Sequence, residues 1–538
     1  MDLLRNPFTA RIAEKTSSET VGEKISARPD ETSDKLNDTV NGTIRDTVSE
    51  SMNDEAIDTD EAIGTMDKAS GSGKHITEIN GFRVNTSEVN RYESSSAVLP
   101  SLSGISVNLA NERIQEGIMR HWKANRVPVS AAMSEVTGEI AVQYDLELLE
   151  ASSGQKCLQW TVPPSWDVDE AFIETPDGRR IADFRESPLR LWTASIPFEG
   201  DVDLEELKGH ILFDRDRPEV IPYHYRNGYR PEARDWGFCL RYREYLTLEP
   251  GLYRVVIKSA LNNAGTLHCA TARVAGQGSE TFVLAAHLCH PAMVTDGLAS
   301  SLACCELLNW LRRVEKASSL RYSYQIVLGP EYYAAALFLQ SLDESRLKNL
   351  KGTLFLDMLG NGQPLHYQRS FQENSLLDSA VEAAFEGNPG AVSWPFRGLW
   401  GNDETFYNGP GLFIPSPGIG GAQFHEYHSD LDSPELFSME SLREGVMITA
   451  RVIEALETDF VPSPLFRGPL HLSSQGLYVD PLIDPDGYRN VEALQILMDG
   501  ARSVLEISRV LGIDFFRLRD FYRALHEKGL IEISAPPL

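Results

Sequence analysis

The sequence predicts a three-layer α/β domain with a small β-rich segment set into it and a helical tail behind it. Three observations carry this prediction. From about residue 250 to 456, apolar strand patterns alternate with helical patterns. Between 157 and 240 the pattern changes to short strands among many Pro, Gly and Trp residues. After 470, three helical patterns follow one another, separated by glycines.

Taken in order, residues 1–105 are rich in Ser, Thr, Asp, Glu and Asn and poor in aromatics. Such a segment buries too little apolar surface to offset its chain entropy, so it reads as a disordered acidic extension. Organised sequence begins near Val107, where Leu109, Ile114, Ile118 and Trp122 fit an amphipathic helix. Residues 160–163, 171–174 and 180–184 read as short strands, with Pro176, Asp177 and Gly178 as a hairpin turn. Residues 252–258 and 266–274 are two further strands.

Residues 282–286 have no charge and no turn former, so they read as a strand buried on both faces. The strand ends at His287. Pro291 and Gly297 break it and open a loop that carries His290 and Asp296, and residues 298–311 read as a helix. A strand over 322–328 leads to Glu331, with a helix over 334–340. A buried strand over 352–357 ends in Asp357. A helix over 376–385, a strand over 411–415, the segment bearing His428 and a long helix over 438–456 complete the domain. In the tail, helices over 491–498, 503–511 and 515–528 have helix-turn-helix geometry, with 530–533 as a candidate wing strand.

The bulk numbers exclude several classes. The chain has 538 residues, a net charge of −28 and 42% hydrophobic residues, which fits two to four packed domains. So acidic a surface disfavours nucleic acid and anionic membranes. No apolar run reaches membrane-spanning length, and the first residues lack the apolar core of a secretory signal. The six cysteines form no CxxC pair. Cys304 and Cys305 sit side by side in an apolar helix as buried thiols, and a reducing, cytoplasmic compartment is expected.

The chemistry gathers at strand ends. His287 with Asp296, then Glu331, Asp357 and His428, all follow strands of one sheet, where open α/β sheets bind ligands. Two imidazoles and three carboxylates suit a pair of zinc ions sharing a carboxylate.

This order of residues resembles the di-zinc aminopeptidases of the bacterial leucyl-aminopeptidase and glutamate-carboxypeptidase type. Within that group it is most similar to a bacterial family of aminopeptidase-like proteins with an inserted small β domain and a C-terminal winged helix. The stretches that carry the likeness are 160–163, 235–240, 287–291, 401–404 and 426–429, and it spans nearly everything after residue 105. The resemblance implies a zinc-peptidase-like domain over 106–156 and 241–465, an inserted β domain over 157–240, and a winged helix over 470–538.

It further implies Asp296 as a bridging carboxylate. One zinc takes His287 and Asp357, the other Glu331 and His428, and His290 is the alternative to His287. The chain departs from the pattern at three places. Cys289 stands where an Asp supports the first His, Thr295 precedes Asp296 where an Asn is usual beside it, and Pro330 replaces the first member of a Glu-Glu pair. Glu331 is then either a ligand or the general base. If it is a ligand, the base must come from elsewhere, and Glu404 and Asp403 are the candidates.

Other residues have plainer readings. His425 is a loop residue, His268 and His366 are structural, and Trp394, Phe396 and Trp400 are core rather than pocket. Arg397 is a candidate for holding a substrate carboxylate.

The expected function is a zinc-dependent amide hydrolase, aminopeptidase-like, with one or two zinc ions activating water against a peptide or peptide-like carbonyl. A catalytically decayed peptidase-like regulator is the first alternative, and a biosynthetic amidohydrolase acting on a small-molecule amide the second. A homo-oligomer is expected. The candidate recognition helix mixes Arg517, Arg519, Arg523 and Lys528 with Asp514, Asp520 and Glu527, which favours a protein–protein role over DNA binding.

Overall fold

The computed structural model describes residues 76–79, 82–85, 110–230, 234–317, 319–388, 390–422, 424–482 and 485–536. The expectation of disorder over 1–105 falls mostly outside these. Within that span, Ile76–Ile79 and Phe82–Asn85 pair as antiparallel strands. In the sequence an Asn-Gly dipeptide separates them, a strong hairpin signal.

The centre is an eight-stranded mixed sheet. From one edge its strands run Ser393–Trp394, Leu365–Gln368, Gly418–Gly421, Leu350–Asp357, Thr281–His287, Ser323–Gly329, Thr266–Val274 and Glu147–Ser152. The middle four, from Gly418–Gly421 to Ser323–Gly329, are mutually parallel. The two at the far edge run antiparallel.

Side chains alternate between two apolar layers, as strand geometry requires. Phe282, Leu284 and Ala286 pack into a cluster with the helices Asn111–His121, Leu298–Ala317, Leu376–Phe385 and Met439–Thr458. Val283 and Ala285 face the other way, onto the helix Tyr333–Ser341 and Trp400. Helices thus cover both faces, and residues 281–287 are buried throughout.

The strand expected over 411–415 is absent, and the chain there runs through turn and extended backbone. Phe413 has φ +52°, and Pro415 and Pro417 have no N–H for a ladder. Their carbonyls still accept from Thr353 N at 2.8 Å and Phe355 N at 3.1 Å. The strand that joins the sheet is Gly418–Gly421.

A separate four-stranded antiparallel sheet orders Arg180–Ile181, Ser165–Glu174, Leu252–Asn262 and Phe198–Asp203. Its longest strand, Leu252–Asn262, lies beyond residue 240, so the β-rich unit takes in chain that was expected in the main domain. Its own core holds Trp166, Phe238 and Val255.

The tail holds helices Pro485–Ile496, Val504–Leu511 and Phe515–Glu527. The strand Ile531–Ser534 pairs with Val461–Pro464, the segment just before the tail. Val504, Phe515, Leu518, Tyr522 and Leu525 share one apolar cluster with the main domain. No helix among the described residues is long and apolar enough to cross a membrane.

Candidate metal centre

The parallel strands deliver their carboxyl ends to one place. His287 is the last residue of its strand, Asp357 the last of the next, and Glu331 lies just past a third. His287 Nε2 stands 3.1 Å from Asp357 Oδ1 and 3.3 Å from Asp296 Oδ1. His428 Nε2 lies 3.2 Å from the other oxygen of Asp296, Oδ2. Asp296 therefore faces a different imidazole with each oxygen. His290 Nδ1 is 4.0 Å from Asp296 Oδ1. Two ligand-type triads share Asp296, His287 with Asp296 and Asp357, and His290 with Asp296 and His428, and a third group joins His287, Cys289 and His290.

Local structure makes this convergence possible. Gly297 has φ +102°, and a Cβ on it would lie 2.7 Å from the His287 ring. Only glycine lets the Asp296 loop fold back so closely. Asp432 holds that loop, accepting from Thr295 N, Thr295 Oγ1 and Asp296 N, each at 2.9 Å. Arg126, wholly buried, donates to the carbonyls of Leu288 at 2.8 Å, His290 at 2.7 Å and Met293 at 2.7 Å.

Burial and charge set the protonation states. Burial would lower the His287 pKa, but the carboxylates of Asp357 and Asp296 outweigh it and hold it well above its usual value. Burial would raise Asp296, yet His290, His287 and His428 hold it well below the usual range. A divalent cation competes with these protons for the same lone pairs. Asp296 Oδ2 is buried and makes no hydrogen bond, despite the nearby His428 nitrogen. A buried carboxylate oxygen with free lone pairs, amid imidazoles and a second carboxylate, has the donor chemistry of a zinc-type site.

The remaining expected site residues lie close by but are differently engaged. Glu331 accepts from Tyr229 Oη at 2.7 Å, and its backbone N–H donates to Cys289 Sγ at 3.2 Å. Burial raises its carboxyl pKa. It joins neither triad. Asp403 accepts the Tyr332 backbone N–H, and both oxygens of Glu404 accept Asn402 N at 2.8 Å. Burial pushes both carboxyls up to about 8. Asn402 bridges back, its Nδ2 standing 3.4 Å from Asp357 Oδ2.

His425 is paired with Glu219 at 2.9 Å, His268 contacts Ser134 Oγ at 3.1 Å, and His366 accepts from Val392 N at 3.1 Å. Trp394 and Trp400 pack into the second apolar layer, Phe396 sits edge-on to Phe371, and Arg397 is exposed. Arg126, Asp432, Tyr223, Tyr229 and Asn402 were not foreseen as site residues. The one signal for Asp432 was its place four residues after His428, since nothing about Arg126 in sequence shows where its guanidinium goes.

Fold and site together define a three-layer α/β protein with a cluster of metal-ligand-type side chains at the carboxyl ends of its parallel strands. The crystal structure of a Clostridium acetobutylicum protein, provisionally assigned as a peptidase, superimposes with a TM-score of 0.69 at 23% identity, covering 80% of this chain and 98% of that one. A zinc aminopeptidase from Bacillus subtilis matches with a TM-score of 0.47 at 14% identity, over 64% of this chain and 94% of that one. Among curated proteins, a Clostridium acetobutylicum chain is 27% identical over 409 residues, 72% of this chain and 88% of its own length. It is provisionally described as a polysaccharide biosynthesis protein with an aminopeptidase-like domain. A family model, the domain of unknown function DUF4910, matches residues 117–459. The chain belongs to the DUF4910 family.

Proposed function

We propose that this protein is a zinc-dependent amide hydrolase of aminopeptidase type. The observation that carries the reading is Asp296, whose two oxygens face His287 and His428 at 3.3 and 3.2 Å. That is the arrangement of a carboxylate shared by two cation positions. His287, Asp296 and Asp357 would hold one ion, and Asp296 and His428 part of a second. Bound zinc supplies a Lewis acid for a substrate carbonyl and acidifies water.

The chain's own groups do the rest. Asp432 and Arg126 fix the loops that present Asp296 and His290. Tyr223, Tyr225 and Tyr427 pack rings against His428, with centroids 5.6, 5.4 and 3.9 Å away, and orient its imidazole. Trp160, Tyr229, Tyr332 and Phe406 form an aromatic cluster next to Glu331, an apolar wall for a substrate side chain. The Glu331 carboxylate lies on this wall, held by Tyr229, as the candidate proton acceptor.

Substrates on this reading are peptides or peptide-like amides. The description of the curated relative favours a second version, in which the amide belongs to a small molecule of a biosynthetic pathway. The tail helix fits a protein-contact role. Arg519 is committed to Glu454 at 3.1 Å and Arg509 to Glu382 at 3.4 Å, so two of its region's cations are spent on the body.

The test is metal content with activity. Purified protein should take up zinc, release a chromophore from aminoacyl anilides and lose this activity to a chelator, and Asp296→Ala should abolish both uptake and turnover. A folded parent chain that takes up no zinc would overturn the proposal.

A further inference from the structure

The site has one ligand-type side chain too many on one side and one general base too few on the other. His290 was expected only as an alternative to His287. Yet the two imidazoles occur together, Nδ1 to Nδ1 at 3.2 Å, and of the two triads that share Asp296 each belongs to a different one. The His290 ring stacks on the His428 ring, centroids 5.2 Å apart and planes 29° from parallel. Tyr223 closes on both rings edge-on, at 5.3 and 5.6 Å.

Both histidines hold a backbone conformation that L-residues seldom adopt, His290 at φ +85° and His428 at φ +52°. Arg126 holds the first through the His290 carbonyl at 2.7 Å. Tyr223 N holds the second through the His428 carbonyl at 2.9 Å. Strain of this kind persists where the surroundings over-determine it, and here both instances bring an imidazole to the same carboxylate. Glu331 differs. It offers no oxygen to either triad, its carboxylate is taken by Tyr229 Oη, and its backbone is tied to Cys289.

Building on the metal-hydrolase reading, we infer that His290, with Asp296 and His428, forms the second cation position, and that Glu331 is not a ligand but the general base. The exchange explains why Pro330 stands where a second glutamate would be needed. With a histidine supplying the third ligand, one glutamate suffices. Glu331 then accepts a proton from the attacking water as the C–O bond forms. It hands that proton to the amine nitrogen as the C–N bond breaks, and ends the cycle as it began.

The test compares zinc content, read by mass spectrometry, in the full-length parent, Glu331→Gln and His290→Asn. Asparagine tolerates positive φ better than most residues, so it spares the His290 backbone. Glu331→Gln should keep the parent's two ions per chain while hydrolysis falls by about 10²–10⁴-fold, and His290→Asn should lose one ion. An anomalous-scattering map of zinc-soaked parent crystals gives the same answer without substitution, with an ion about 2.1 Å from nitrogens of both His290 and His428. Loss of an ion in Glu331→Gln, or an ion bound to Glu331 and His428 with His290 apart, overturns this inference and leaves the hydrolase reading standing. A parent chain that takes up no zinc overturns both.

Discussion

The Asp432 carboxylate accepts the backbone N–H of Asp296 at 2.9 Å, and its other oxygen takes Thr295 N and Oγ1 at the same distance. One buried acid thereby sets the position of the residue on which both triads depend. Asp432→Ala should leave these donors without a partner, at a cost of about 1–3 kcal/mol each when buried. We expect zinc affinity to fall roughly 10–100-fold, as when a partner of a metal ligand is lost. Competition titration with a chromophoric chelator checks this, and unchanged affinity would show that Asp296 is held by other means.

Gly297→Ala tests the close approach of the Asp296 loop to His287. The new Cβ would meet the His287 ring at 2.7 Å with the backbone at φ +102°. Backbone strain alone costs about 1–2 kcal/mol, and the clash adds to it. Urea unfolding should show a loss above that figure, with zinc uptake impaired in the protein that remains folded.

Arg126 joins five carbonyls, those of His121 at 2.7 Å and Trp122 at 3.0 Å besides Leu288, His290 and Met293. Burial lowers its pKa to about 10, still far above neutrality. Arg126→Lys keeps the charge but not the fork of donors, so most of these carbonyls lose their partner. A fall in thermal midpoint comparable to that of Arg126→Met is expected from scanning calorimetry. Full rescue by lysine would show that charge alone matters.

Acid stability should depend on Glu244. Burial would raise its pKa, but the Arg190 guanidinium, paired at 2.6 Å, holds it down to about 2. A depressed folded-state pKa stabilises the protein above the ordinary glutamate value of 4.5, and that contribution disappears as pH falls from 4.5 through about 2. Unfolding free energy measured across this window should drop less steeply in Glu244→Gln than in the parent. Equal slopes would assign the acid sensitivity to other carboxylates.

Some elements are written plainly in local sequence and others are not. Residues 376–385 were foreseen as a helix and form one, Leu376–Phe385, because Ser375 and Asp378 complete a capping box before an amphipathic run. The strand at 281–287 was equally plain, since a run buried on both faces has no other use for uninterrupted apolar residues. The strand expected at 411–415 does not form, because Phe413 sits at positive φ and Pro415 has no N–H to give a ladder, which apolar content alone does not reveal. The four-stranded sheet includes Leu252–Asn262, beyond residue 240, because a shared sheet is a matter of pairing partners and not of local composition.

By itself, the sequence determined the alternation of strands and helices, the acidic character of the chain, and the set of imidazoles and carboxylates that follow strand ends. These depend on local periodicity and on residue type, which a linear text contains. Only the tertiary structure decided that His287 and His290 stand side by side at one oxygen of Asp296 with His428 at the other, that Asp403 and Glu404 are engaged by backbone N–H groups, and that Arg126 and Asp432 hold the surrounding loops. Such relations join residues far apart in the chain at distances of about 3 Å, and no pattern along the chain records which side chains the folded layers bring within that range.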